Sequence, residues 1–155
     1  MTMNQSDFIS RYFKSPLILG DYLPDISIHT LNNGELRLYD LITNHLFLLC
    51  YSVECTSCLE SMELLDQFLN QHPSRYNIAI LIYCNEEMFD EVQQVFGERV
   101  SHIYRVTKHD LTKRMRVMEL PSGFVVNRLG QVVETNNCLF LGAFHHIVEP
   151  LVKIV

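Results

Sequence analysis

Cys55 and Cys58, with two residues between them, are the positions with the most evident chemistry in this sequence. At that spacing one thiolate can attack a disulfide and the second can close onto the first, releasing a mixed disulfide, so the pair reads as a redox couple. The competing use of two such cysteines is half of a zinc site, which needs four ligands. Cys50, Cys84 and Cys138 stand singly, and His145 and His146 are adjacent rather than three to five residues apart, so no metal is expected.

The flanking residues place the pair. Residues 46–54 are a nearly continuous apolar run of strand length, the pattern of a strand buried on both faces. Past Cys58 the period changes: Leu59, Met62, Leu65 and Leu69, with Phe68, recur at spacings of three and four, while Glu60, Glu63 and Asp66 fall on the other side. The cysteines therefore lie where a strand ends and a helix begins. Unpaired N–H groups and the positive end of the helix dipole at that point favour a thiolate.

The chain has 155 residues, read as one domain spanning 1–155 with an N-terminal extension over 1–22. Its 48% hydrophobic and 19% charged residues describe a globular protein. The formal charge of −6 argues against a nucleic-acid surface. Five cysteines, an odd number, do not suggest a secreted disulfide framework. Neither a signal peptide nor an apolar run of membrane-spanning length is visible, so a cytoplasmic location is expected.

In chain order, residues 7–14 carry Phe8, Ile9, Tyr12 and Phe13 as a short amphipathic pattern expected to pack on its own domain. Residues 26–30 and 35–39 read as a hairpin around Asn32-Asn33-Gly34, with a small turn at 41–44. A second buried strand follows at 78–84. Asn85 is expected to cap a helix over 86–96 with Met88, Val92, Val95 and Phe96 inward. A strand at 100–106 precedes a short helix at 111–117, capped by Asp110, whose Lys113, Arg114 and Arg116 form a solvated face. Strands at 122–126 and 131–134 are joined through Gly130, and a helix over 143–154 is kinked or restarted by Pro150. Buried strands alternating with helices predict an α/β fold, a mixed and mostly parallel sheet with helices on both faces and an N-terminal β-hairpin.

With that order in place, the sequence resembles the thioredoxin superfamily, in the branch of TlpA/ResA-like thiol–disulfide oxidoreductases related to the alkyl hydroperoxide reductase and thiol-specific antioxidant proteins. The resemblance runs over residues 23–152. It is carried by Leu23-Pro24-Asp25-Ile26, by Cys55-Thr56-Ser57-Cys58, and by the segment from Leu120-Pro121-Ser122-Gly123 to Gly130. It implies a thioredoxin-like fold, with Cys55 as exposed nucleophile and Cys58 as buried resolving thiol. It also implies a cis Pro121 that sets the Leu120 backbone beside Cys55, to pair with a client chain like an added strand. Thr56 and Ser57 would tune the thiolate or serve as caps.

Two departures stand out. Where that branch places Trp before the nucleophile, Glu54 stands, and the chain has no Trp. A carboxylate there opposes thiolate formation and shifts the couple toward the reducing side. Leu49 occupies the position of the buried acid at the end of the central strand. Cys84 is expected on the same side of the sheet as Cys55, as a small apolar filler, with Cys50 and Cys138 in the core. His145 and His146 are expected as surface and interior neighbours without a catalytic role.

The expected function is therefore that of a cofactor-free thiol–disulfide oxidoreductase. It acts on a protein or peptide client, in exchange with a thiol electron donor or acceptor, without nucleic acid or a membrane span. A dedicated cytosolic partner, such as a system maturing ribosomal peptides of the bacteriocin kind, would suit Glu54 and the extension. Two other classes remain open: a thioredoxin-fold binding module or redox switch, and a peroxiredoxin-like peroxidase suggested by Ser52-Val53-Glu54-Cys55, though Leu48 stands where that family has proline.

Overall fold

A computed structural model of the protein describes residues 16–30 and 34–155. The amphipathic stretch at 7–14 and Asn32-Asn33 of the hairpin turn lie outside the described residues. Strand β1 (Ser27–His29) pairs antiparallel with β2 (Glu35–Arg37), Ile28 opposite Leu36. The main sheet is built from β3 (His45–Ser52), β4 (Ile78–Tyr83), β5 (His102–Arg105), β6 (Ser122–Asn127) and β7 (Val132–Asn136). Its order is β5-β4-β3-β6-β7, so the strand that delivers the cysteines is central. β3, β4 and β5 run parallel, with Leu49 beside Ile80, whereas β6 and β7 are antiparallel, with Leu49 beside Gly123.

Every residue of β3 is buried, which explains the absence of polar alternation in its sequence. Successive side chains point to opposite faces. Phe47, Leu49 and Tyr51 meet helix α1 (Thr56–Gln71) and helix α3 (Leu141–Ile147) in one core; Leu46, Leu48 and Cys50 pack on Leu38, Leu111 and Met115 in the other. Helix α2 (Glu86–Phe96) covers the first face beside α1, and the Asn85 side chain caps it by accepting the Met88 N–H at 2.8 Å. Gly130 has φ +85°, and a Cβ there would run into the Tyr39 ring, whose hydroxyl donates to the Leu23 carbonyl at 2.8 Å.

Several expected elements differ in detail. The residues after β2 form a 3₁₀ turn (Leu38–Leu41), closed by the Asp40 carboxylate accepting the Arg37 N–H at 2.9 Å. The short helix expected at 111–117 is a single π-helical turn (Asp110–Arg114). Asp110 is inside that turn rather than ahead of it, accepting the Thr107 N–H at 3.0 Å. Its supposedly solvated cations are tied down: Arg114 pairs with Asp110 at 2.9 Å and Arg116 with Asp21 at 3.5 Å, leaving Lys113 exposed. The last helix stops at Ile147, and Pro150 sits in a separate 3₁₀ turn (Glu149–Leu151), because its ring cannot continue the α-helical ladder. Val95 is 54% exposed and Leu59 42% exposed, so neither points inward as the spacing suggested. Phe89 and Ser61 take the buried positions instead.

One buried polar side chain fixes a pH dependence. His45, 3% exposed, accepts the Asn77 N–H at Nε2 over 2.9 Å, a bond open only to the neutral ring, and burial lowers its pKa. Burial also lowers the pKa of His102, and burial followed by His145 and Arg75 lowers that of His72. The unfolded chain, titrating near about 6.5, takes up these protons first. Stability is therefore full above that value and is lost as pH falls through the folded values, by up to about 1.4 kcal/mol per pH unit for each proton. Urea unfolding at pH 5 and pH 7 should show the loss. His45→Gln, whose amide oxygen can still accept from Asn77, should remove the share due to His45 and leave that of His72 and His102.

Candidate redox site

Cys55 is the N-cap residue of α1, in extended conformation (φ −110°, ψ 115°), at the carboxyl end of β3. Its side chain is half-buried, and its thiol donates to the Leu120 carbonyl at 3.4 Å across 65 residues of sequence. The Leu120–Pro121 peptide is cis. Cys58 lies one turn further in, its N–H donating to the Cys55 carbonyl at 3.1 Å, and its side chain is fully buried. The two cysteines thus share one helix start, with one sulfur open to solvent and the other closed.

Their environments separate their roles. Burial pushes the Cys58 thiol up to about 12, opposed by the Ser52 N–H that donates to its sulfur at 3.4 Å and reinforced by the neighbouring Cys55 thiol. Once Cys55 is bonded to another sulfur, it can neither accept a hydrogen bond from the Cys58 thiol as a thiolate nor repel a Cys58 thiolate, while the Ser52 N–H remains. Cys58 is therefore held protonated until the first exchange has happened and becomes easier to ionise afterwards.

Leu49 is fully buried in the core that also contains Cys58, so no acid stands on β3 at that place. What the sequence does not disclose is the pair of hydroxyls nearby: Tyr51 and Ser61, both fully buried, lie 3.1 Å apart, linking β3 to α1 one turn beyond Cys58. Ser61 reads as an ordinary helix residue, and only the helical offset of three from Cys58 hints at its side.

Glu54 points outward, 59% exposed, and reaches Lys108 at 3.6 Å. Nothing local in the sequence points to this partner, because Lys108 follows β5 and arrives only through the parallel crossover. The ion pair offsets part of the repulsion that Glu54 exerts on a Cys55 thiolate, and exposure keeps both effects small. Glu54→Gln should move the reduction potential of the couple to less negative values by under about 30 mV, a tenfold change in equilibrium constant. Lys108→Gln should move it the other way. Thr56 is exposed and Ser57 half-buried, and no side-chain bond caps the helix, so neither hydroxyl takes the capping role.

The remaining cysteines are buried thiols. Cys84 directly follows β4, in the core shared with Cys58; burial raises its pKa, with Arg105 acting against it. Cys50 is on the opposite face, and burial pushes both it and Cys138 up to about 12. His145 and His146 are both exposed, correcting the expectation of an interior member. His145 Nε2 lies 3.3 Å from His72 Nε2, and His146 faces Glu134 and Glu149 at 3.8 and 3.6 Å. Among the described residues no group of three or more His, Cys, Asp or Glu is placed to hold a metal ion, and no helix is long and apolar enough to cross a membrane.

The architecture is that of the thioredoxin-like fold, and solved structures similar to it include thiol–disulfide exchange proteins. A thiol:disulfide interchange protein from Bacteroides sp. superposes with a TM-score of 0.63 at 16% identity, covering 88% of this chain and 91% of its own. The thioredoxin domain of a thiol-disulfide oxidoreductase from Bacteroides vulgatus gives 0.60 at 16% identity, covering 84% and 99%. The exposed lipoprotein thioredoxin of Streptococcus pneumoniae gives 0.58 at 16% identity, covering 82% and 99%. At these identities the likeness is one of fold. No protein-family model and no curated protein matches the sequence.

Proposed function

We propose that this protein is a thiol–disulfide oxidoreductase that reduces a disulfide in a protein or peptide client. The observation that carries this reading is the asymmetry of the pair: an accessible Cys55 beside the Leu120 carbonyl, with a buried Cys58 one helical turn behind it. The Cys55 thiolate attacks one client sulfur, forming a Cys55–client bond as the client disulfide breaks and its second sulfur leaves as a thiolate. Cys58 then gives up its proton, which the departing client thiolate can accept, and attacks the Cys55 sulfur. The Cys55–Cys58 disulfide forms and the first client sulfur leaves. Two electrons pass from the dithiol to the client, and a thiol donor returns them.

Leu120 and Pro121 act as the substrate edge in this reading, the Leu120 carbonyl exchanging its thiol contact for a client N–H. The cytosol, which keeps thiols reduced, is the compartment that suits a reductase. A client dedicated to this protein, such as a peptide-maturation system, is the finer form of the proposal; Glu54 in place of an aromatic residue beside the nucleophile supports it. The peroxidase alternative needs a Ser52 hydroxyl free to orient a peroxide at Cys55. Ser52 is buried, its hydroxyl accepts the Glu54 N–H at 3.2 Å, and its own N–H faces Cys58 rather than Cys55.

Titration of the Cys55–Cys58 couple against glutathione tests the proposal. A reductase should equilibrate near thioredoxin's value of about −270 mV; a value near about −120 mV would make it an oxidant, and the lack of any defined couple would reduce it to a binding scaffold.

A further inference from the structure

The exposed Leu59 and Val95 both line a groove that the redox chemistry does not use. It lies between α1 and α2, has a volume of about 630 Å³, and is floored by Met62, Met88, Val92 and Phe96. Its charged lining residues are Glu63, Asp66 and Glu91, with no lysine or arginine among them. Arg99 answers Asp66 at 2.6 Å and lies over the Phe96 ring at 5.6 Å, which leaves Glu63 and Glu91 to set the sign of the groove. Leu59, at one end, is one helical turn from Cys55, about 6 Å along the axis.

We propose that this groove docks a cationic amphipathic helix of the client, and so holds the client's disulfide next to Cys55. The inference rests on the oxidoreductase reading and names the chemistry of its substrate. Two parallel helices with an apolar trough between them fit the apolar side of a third helix, read at spacings of three and four residues. Met62 and Met88 in the trough can repack around differing side chains. Exposed Leu59 and Val95 then become buried contacts rather than an unprotected patch. Glu63 and Glu91 select lysine or arginine on the flanks of the incoming helix and disfavour an acidic one. The formal charge of −6 acts in the same direction at longer range.

The probe is a cysteine-free helical peptide of leucine and lysine, fluorescently labelled, set against a leucine–glutamate peptide of the same length. Anisotropy with the full chain should show the lysine peptide binding at low salt. Its affinity should fall at least tenfold when salt is raised to about 0.5 M, and at least tenfold in the Glu63→Lys/Glu91→Lys double variant. The glutamate peptide should not bind. The lysine peptide should also inhibit reduction of a lysine-rich helical peptide bearing a disulfide, while sparing that of oxidised glutathione. Equal binding of both peptides, binding indifferent to salt, or no binding at all would overturn the proposal, as would sedimentation showing the groove closed by a second copy. Because the probe carries no cysteine and the glutathione control no helix, loss of docking with an active pair rejects the groove alone. Docking with an inactive pair rejects the redox reading on which the inference rests.

Discussion

Cys58→Ser is expected to stall the protein as a mixed disulfide through Cys55, visible on a non-reducing gel as a covalent adduct with a disulfide-bearing substrate. Cys55→Ser should form no adduct and should slow insulin reduction by at least about 100-fold, to the background of uncatalysed exchange. The difference follows from access: Cys55 is half-exposed at the helix start, whereas Cys58 is sealed in the core. In the intact pair, release of the client should be limited by deprotonation of Cys58, whose burial still raises its pKa once Cys55 is in the mixed disulfide, though less than in the dithiol. Single-turnover release should therefore quicken with pH, by about tenfold per unit while the pH stays below the thiol's own value. Equal rates for the Cys55→Ser variant and the wild type, or an adduct that forms through Cys58, would remove the enzymatic reading.

The second large effect concerns stability. Phe68 is fully buried where α1, α3 and the sheet meet, its ring 6.4 Å from Phe47, 5.8 Å from Tyr76 and 5.6 Å from Phe144. Truncation removes partners from all three at once and leaves a hole that surrounding aromatic rings cannot fill. Phe68→Ala should cost about 3–5 kcal/mol, lowering Tm by roughly 10 °C in a chain of this size. Phe68→Leu, which keeps most of the volume, should cost less than half as much. Thermal unfolding followed by circular dichroism checks both. A cost under 1 kcal/mol, within the range of ordinary surface changes, would show that α1 is not held by this cluster.

The parts of the fold visible in the sequence were those with one dominant physical signal. An unbroken apolar run at 46–51 marked the central strand because both its faces are covered, and the shift to a spacing of three and four marked α1. Asn85 announced α2 through a side chain that can accept an N–H. Where two signals compete, the sequence misleads: Leu59 and Val95 match the apolar period of their helices yet stand at the edge of the buried stripe, open to the groove. Pro150 could be read as a kink or as a restart of the last helix, and the separate 3₁₀ turn is the restart; the sequence left the two open because the outcome depends on how far α3 can pack. At the site, Cys55 and Cys58 were legible from spacing alone. Lys108 was not, since only the path of the chain after β5 brings it to Glu54, nor was the Tyr51–Ser61 contact, which joins residues with no local signature.

The redox pair is carried by the strand at the middle of the sheet, hydrogen-bonded on both sides and buried along its whole length. The amides of β3 should accordingly be the last to exchange with deuterium, opening only when the entire chain unfolds. In the proposed cycle, exchange between dithiol and disulfide would take place directly beyond the most slowly breathing part of the molecule, and the oxidised and reduced forms should differ in protection around α1's first turn while sharing the same slow core.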